Sequence, residues 1–195
     1  MNYLFHLYLA GEDPDLIAGG FAGDFVKGPL DRFDPPGMRR GVELHRLVDS
    51  FAEREESFRQ SRQRIAPHYR LFRSVLVDIF YDHFLSVTWE EWHHEPLPQY
   101  LARVRGVLEG KREFLPERLK ELMPVVLDEL IPSYHRMEGI GKALKRMSAR
   151  VRRPNPLAGA EEELLLHYRE LEGDFRLFLP EAVRYAEGIK ARGGM

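Results

Sequence analysis

His45 and Asp49 stand four residues apart in Gly41-Val42-Glu43-Leu44-His45-Arg46-Leu47-Val48-Asp49. On a helix that spacing puts an imidazole and a carboxylate on one face, a turn apart. Asp78 and Asp82 repeat it in Val77-Asp78-Ile79-Phe80-Tyr81-Asp82-His83-Phe84, with His83 directly following. Asp24 sits among apolar neighbours in Gly23-Asp24-Phe25-Val26, and His6 does so between Tyr3 and Ala10. A buried carboxylate is costly unless it is paired or bound to a cation. One histidine on an apolar face is ordinarily a hydrogen-bonded core residue, and an Asp–His pair can serve only to cap or cross-link helices. His6, Asp24, His45, Asp49, Asp78, Asp82 and His83 together point instead to a shared divalent metal, of the kind that His and Asp side chains from several helices hold.

Imidazoles and carboxylates without a thiolate suit Mn²⁺, Fe²⁺, Mg²⁺ or Zn²⁺, and spacing does not choose among them. Such an ion lowers the pKa of bound water and neutralises charge on phosphoryl oxygens, so phosphoester hydrolysis is the natural reaction class. A carboxylate off the metal could accept the water proton, and a protonated histidine could supply one to a leaving alkoxide.

The elements that must position these residues read as helices. Leu44, Leu47, Val48 and Phe51 follow three-four spacing, as do Leu76, Ile79, Phe80 and Phe84, and later Leu164, Tyr168, Leu171 and Phe175. β-Branched residues are scarce, with Thr88 the only threonine, and no hairpin dipeptide separates alternating runs. Breaks are expected at Pro35-Pro36-Gly37, Pro67, Pro96-Leu97-Pro98, Pro154-Asn155-Pro156 and Pro180. Pro116, Pro124 and Pro132 either open first turns or kink one long helix. The expectation is an all-α single domain over residues 1–190 with about seven to nine helices, followed by a flexible tail at 191–195.

The chain has 195 residues, 44% hydrophobic and 31% charged, and no cysteine. Disulfides, thiolate zinc sites, iron–sulfur clusters and thiol nucleophiles are excluded together. A cytoplasmic setting fits, with neither a signal peptide nor a spanning helix expected. No phosphate loop, GxSxG elbow or dinucleotide fingerprint occurs, since Gly139-Ile140-Gly141 lacks the third glycine. Lys+Arg 29 against Asp+Glu 31 gives a formal charge of −2, which does not describe a polyanion-coating protein. The charge is segregated nonetheless. Arg59, Arg62, Arg64, Arg70 and Arg73 form one run without acid, and Lys142, Lys145, Arg146, Arg150, Arg152 and Arg153 form another. Such runs are either solvated helix faces or a positive face that steers an acidic partner. Aromatics between them are sparse, so nucleic acid is not the expected partner.

Met1-Asn2-Tyr3-Leu4-Phe5-His6-Leu7-Tyr8-Leu9-Ala10, Gly23-Asp24-Phe25-Val26-Lys27-Gly28, Gly41 to Asp49, Tyr81-Asp82-His83-Phe84-Leu85-Ser86 and Met147-Ser148-Ala149-Arg150 occur in an order and spacing that resembles bacterial acyl carrier protein phosphodiesterase. The resemblance runs from Met1 to about Pro180. It implies hydrolysis of the phosphodiester joining 4′-phosphopantetheine to a serine of acyl carrier protein, with a link to fatty acid biosynthesis through that carrier, and a divalent cation, typically Mn²⁺. It also implies distant kinship with the helical His-Asp metal phosphohydrolases. Carried over, Asp24 is the strongest match to a metal-site residue. His6, His45, Asp49, Asp78 and Asp82 stand as further ligand candidates, and His83 or His45 as proton donor. Because the carrier is acidic, the resemblance makes Lys142, Lys145, Arg146, Arg150 and Arg153 the docking residues.

Between Trp89 and Met137 the match loosens, and Trp92-His93-His94-Glu95 is not a family motif. Two other readings stand beside this one: a nucleotide phosphohydrolase of the wider His-Asp type, and a non-catalytic helical module that binds an acidic partner.

Overall fold

The computed structural model describes residues 2–33 and 35–192. Its first helix, α1 (Tyr3–Ala10), buries Leu4, Phe5, His6, Leu7, Leu9 and Ala10. A helix apolar on nearly every side has to be surrounded, and α1 is enclosed by α2 (Pro14–Ala22), α3 (Pro36–Ala52), α5 (Phe72–Val87) and α12 (Tyr168–Arg192). Asp13 caps α2, its Oδ1 accepting from the Asp15 and Leu16 amides at 2.8 and 3.2 Å, with Pro14 at the first helical position. The start of α1 has no cap from its own Asn2. Asp82 of α5 serves instead, accepting from the Leu4 amide at 3.0 Å and the Phe5 amide at 2.9 Å.

The helices α2 and α3 cross almost backbone to backbone. A Cβ on Gly19 would lie 2.1 Å from the Met38 carbonyl oxygen and 2.8 Å from Gly41 Cα, so only a side-chain-free position allows the approach. On the other flank α4 (Glu56–Arg64) is fixed by Ser61 and Arg64, which donate to the buried Asp174 of α12 at 2.9 and 2.8 Å.

The remaining elements are α6 (Trp89–Trp92), α7 (Leu97–Gly110), α8 (Glu117–Pro124), α9 (Ile131–Ser133), α10 (Met137–Arg150) and α11 (Glu161–Leu166), with 3₁₀ turns between several of them. No strand occurs among the described residues, and nine of their α-helices have eight residues or more. The all-α expectation holds. Pro116 precedes α8, whereas Pro124 and Pro132 flank a π-helical turn at Val125–Leu130 inside one continuous helical stretch. Pro132 lacks an amide and its ring would collide with the Asp128 carbonyl four residues back. Widening the turn relieves that collision, so Pro124 sits inside the helical stretch while Pro132 stands in the first turn of α9. The break expected at Pro180 does not occur, since α12 runs through it to Arg192 with Phe178, Leu179 and Ala182 buried on either side. Packing of that apolar face outweighs one lost hydrogen bond. Of the expected tail, Ala191 and Arg192 are helical, and 193–195 lie outside the described residues. No helix among the described residues is long and apolar enough to cross a membrane.

Candidate metal centre and the cleft beside it

The close approach of α2 and α3 brings His45 against the end of α2. His45 Nδ1 donates to the Gly20 carbonyl at 2.9 Å, which directs Nε2 the other way, toward Asp24 Oδ1 at 3.5 Å and Asp49 Oδ2 at 3.3 Å. Gly23 is required here, because a Cβ on it would lie 2.2 Å from the His45 ring. His6, presented by α1, stacks on His45 with ring centroids 3.5 Å apart and planes 13° from parallel. Its Nε2 lies 3.2 Å from Asp49 Oδ1. That nitrogen is buried and has no well-directed hydrogen bond among the described residues.

Ligand atoms of His6, His45 and Asp49 all lie within 4.8 Å of one another. Two stacked imidazoles aimed at one carboxylate, with a buried nitrogen left unsatisfied, suit a cation better than they suit each other. Electrostatics agree. Burial would lower the His45 pKa, but the hydrogen bonds its ring donates to Asp24 and Asp49 prevail and push it up to about 9. Burial, and then the charge of His45, drive His6 down to about 3. Burial opposes ionisation of Asp49 and Asp24, yet the histidines hold both below the usual carboxylate range. One proton serves the imidazole pair where a divalent ion would serve it better.

Asp24 and Asp49 open onto a cleft of about 400 Å³ that Asn2, Glu53, Val75, Asp78, Ile79 and Met147 also line. A second hollow of about 130 Å³ shares Asn2, Asp24, Ile79 and Met147 with it, and continues between Tyr134, Leu122, Val126, Arg146 and Arg150. An acidic chamber, with the buried His6–His45 pair behind its Asp24 and Asp49, thus joins an apolar one with guanidinium groups at its wall. Charge on a phosphodiester can be met from both sides at that junction.

The sequence model of the family described as acyl carrier protein phosphodiesterase matches residues 1–182. The chain belongs to that family. Among its curated members, proteins named acyl carrier protein phosphodiesterase from Klebsiella pneumoniae and Photorhabdus laumondii are each 28% identical over 189 residues, covering 96% of this chain and 98% and 96% of their own lengths. One from Shigella boydii is 28% identical over 95% of this chain. No solved structure matches the chain.

The other candidate residues separate into distinct places. Asp78 lines the cleft, its pKa raised by burial to about 6. Asp82 has both oxygens on the α1 amides and stands outside the His6–His45–Asp49 group, despite the pKa of about 7 that burial gives it. Its role here is to seat the helix that carries His6. His83 also lies outside the group. Its Nδ1 donates to the Tyr134 carbonyl at 2.7 Å and its Nε2 pairs with the Tyr168 hydroxyl at 3.0 Å. Burial lowers its pKa, so it is a neutral cross-link and lines neither chamber.

Arg146 and Arg150 reach the second chamber, Arg146 while paired with Glu129 at 2.9 Å. Lys142, Lys145 and Arg153 are exposed and line neither chamber. His93 stacks between Trp89 and His94, at 4.9 and 4.8 Å, as part of the loop packing. Sequence reasoning did not single out Asn2 and Tyr134. Asn2 Nδ2 donates to the Tyr134 hydroxyl at 2.8 Å across the chamber wall, and residues 132 positions apart leave no local pattern to find.

Proposed function

We propose that the chain is a metal-dependent phosphodiesterase that hydrolyses the bond between 4′-phosphopantetheine and a serine of acyl carrier protein. The observation that carries the reading is the His6–His45–Asp49 group with Asp24 at the floor of a cleft whose adjoining wall presents Arg146 and Arg150. His6 Nε2, His45 Nε2 and Asp49 would hold the ion, with Asp24 beside them. A divalent cation supplies Lewis acidity there, offsetting charge on phosphoryl oxygens and acidifying water.

The chain's own residues supply the rest. The Gly20 carbonyl fixes the His45 tautomer, so that Nε2 carries the lone pair when the ring is neutral. Asp78, raised toward about 6, is anionic for the most part at neutral pH and still basic enough to take a proton from water in the same cleft. Arg150 places a permanent positive charge where the diester must lie. Attack of that water on phosphorus forms the new P–O bond and breaks the bond to the carrier serine, whose oxygen leaves as the hydroxyl by taking the proton that Asp78 accepted.

Purified protein incubated with holo-acyl carrier protein and Mn²⁺ should remove one phosphopantetheine from the intact mass of the carrier, and EDTA should prevent it. Asp24 has a side chain 65% exposed, so Asp24→Ala should abolish turnover without loss of helicity. An unchanged carrier mass with metal-loaded protein, or near-normal turnover by Asp24→Ala, would overturn the reading.

A further inference from the structure

Arg70 is the only non-glycine residue with positive φ among those described, at φ 49° and ψ −118°. Those angles belong to the first central position of a type II′ turn, where glycine is the usual residue. A side chain held there is strained, and strain of this kind persists where a segment has work to do. The next residue, Leu71, is 91% exposed, more than any other large hydrophobic among the described residues. Leu71 forms one edge of an open hollow of about 870 Å³, whose opposite edge is the loop after α10, at Pro154, Asn155 and Pro156.

The arginines nearest this knob lack ion-pair partners among the described residues. In the same arginine run Arg59, Arg62 and Arg64 are paired with Glu56, Glu53 and Asp174. Arg70, Arg73, Arg152 and Arg153 pair with no acid among the described residues, and Arg73 Nε is buried without a hydrogen-bond partner. Glu161, Glu162 and Glu163 lie near enough to Tyr69 to bear on its hydroxyl, so acid bounds the patch on that side. The patch is also continuous with the cleft. Leu71, the N-cap of α5, Val75 and Asp78 fall at i, i+4 and i+7 along one side, and Val75 and Asp78 already line the chamber beside the His6–His45–Asp49 group. From Leu71 to Val75 is about 6 Å of helix. A macromolecule seated on Leu71 therefore has its nearest surface at the rim of the site.

We propose that the strained Arg70–Leu71 turn and the facing loop at residues 152–156 are the docking surface for the carrier protein, with Leu71 as the apolar anchor and the arginines selecting an acidic surface. This rests on the functional reading above, since the partner must place its modified serine at the cleft. Of the earlier docking candidates, Lys142 and Lys145 line neither chamber and Arg146 and Arg150 line the inner one, whereas this patch adjoins the cleft from outside.

Two variants test it on the full chain with Mn²⁺. Leu71→Ser removes the anchor from a fully exposed position. Arg70→Gly removes one charge and relieves the backbone, so it should leave the melting temperature unchanged or higher. Each should raise KM for holo-carrier protein by about tenfold, while kcat, and hydrolysis of the small diester bis(p-nitrophenyl) phosphate, stay as in the wild type. Opposite signs in stability and carrier affinity for Arg70→Gly are what a purely structural role cannot give. If the wild type cleaves the carrier and both variants keep its KM, the docking surface is wrong and the phosphodiesterase reading stands. If both substrates are lost together in the variants, the turn supports the fold and the docking assignment is likewise overturned. If the wild type cleaves no carrier, the functional reading fails and the docking surface fails with it.

Discussion

At the scale of residues, two i,i+4 pairs with the same spacing take different jobs. His45 and Asp49 converge on His6, while Asp78 faces the cleft and Asp82 turns to the amides of α1. The first outcome was legible from spacing. The second was not, because it depends on a helix 78 positions away starting beside Asp82. The histidine pair also sets the pH response of the metal-free protein. His45, raised to about 9, contributes stability that is complete below the ordinary histidine value and is lost as pH rises through 9. His6, lowered to about 3, has the opposite sign: stability falls as pH drops from about 6.5 toward 3, where the unfolded chain takes a proton that the native one refuses. Denaturant midpoints in EDTA should therefore peak near pH 6.5 and decline on both sides. Metal must displace the His45 proton, so calorimetry in two buffers should show proton release on Mn²⁺ binding, with affinity rising up to about pH 9. A Gly23→Ala change should lower metal affinity about 10- to 100-fold by moving the ring that its Cβ would strike, with helicity retained. Metal content by mass spectrometry reads that directly.

At the scale of elements, periodicity found most of the long helices because each has one buried stripe. It could not weigh Pro180, whose effect depends on what the flanking face packs against, nor choose between kink and first turn at Pro124 and Pro132. The α2–α3 crossing is the element contact on which the site depends, since it sets His45 on the Gly20 carbonyl. Gly19→Ala should therefore cost about 1–3 kcal/mol through the overlap with the Met38 carbonyl, and weaken metal binding as well. Gly106 in α7 offers the contrast, because a Cβ there meets nothing within 4 Å. Gly106→Ala should stabilise by about 0.5–1 kcal/mol and leave metal binding untouched. Thermal denaturation of the two variants, with and without Mn²⁺, separates helix approach from helix propensity.

At the scale of the whole molecule, the formal charge of −2 conceals a division of labour. Carboxylates collect at the floor of the cleft, where the proposed cation would sit, and guanidinium groups collect on its wall and outer rim, where an acidic macromolecule would arrive. The two basic runs were visible in the sequence, but their convergence was not. It requires the start of α5 and the end of α10 to lie side by side, a contact between segments some seventy residues apart in the chain. Arg150, Arg152 and Arg153 are exposed, so their field over approaching partners is screened over about 8–10 Å at ordinary ionic strength. The His6–His45–Asp49 group, by contrast, has buried histidines and short contacts that salt barely reaches. Raising NaCl from about 0.05 to 0.5 M should therefore increase KM for holo-carrier protein severalfold through slower encounter, leave kcat nearly constant, and leave hydrolysis of a small phosphodiester almost unchanged. Equal salt sensitivity for both substrates would place the effect at the metal centre and not at the rim.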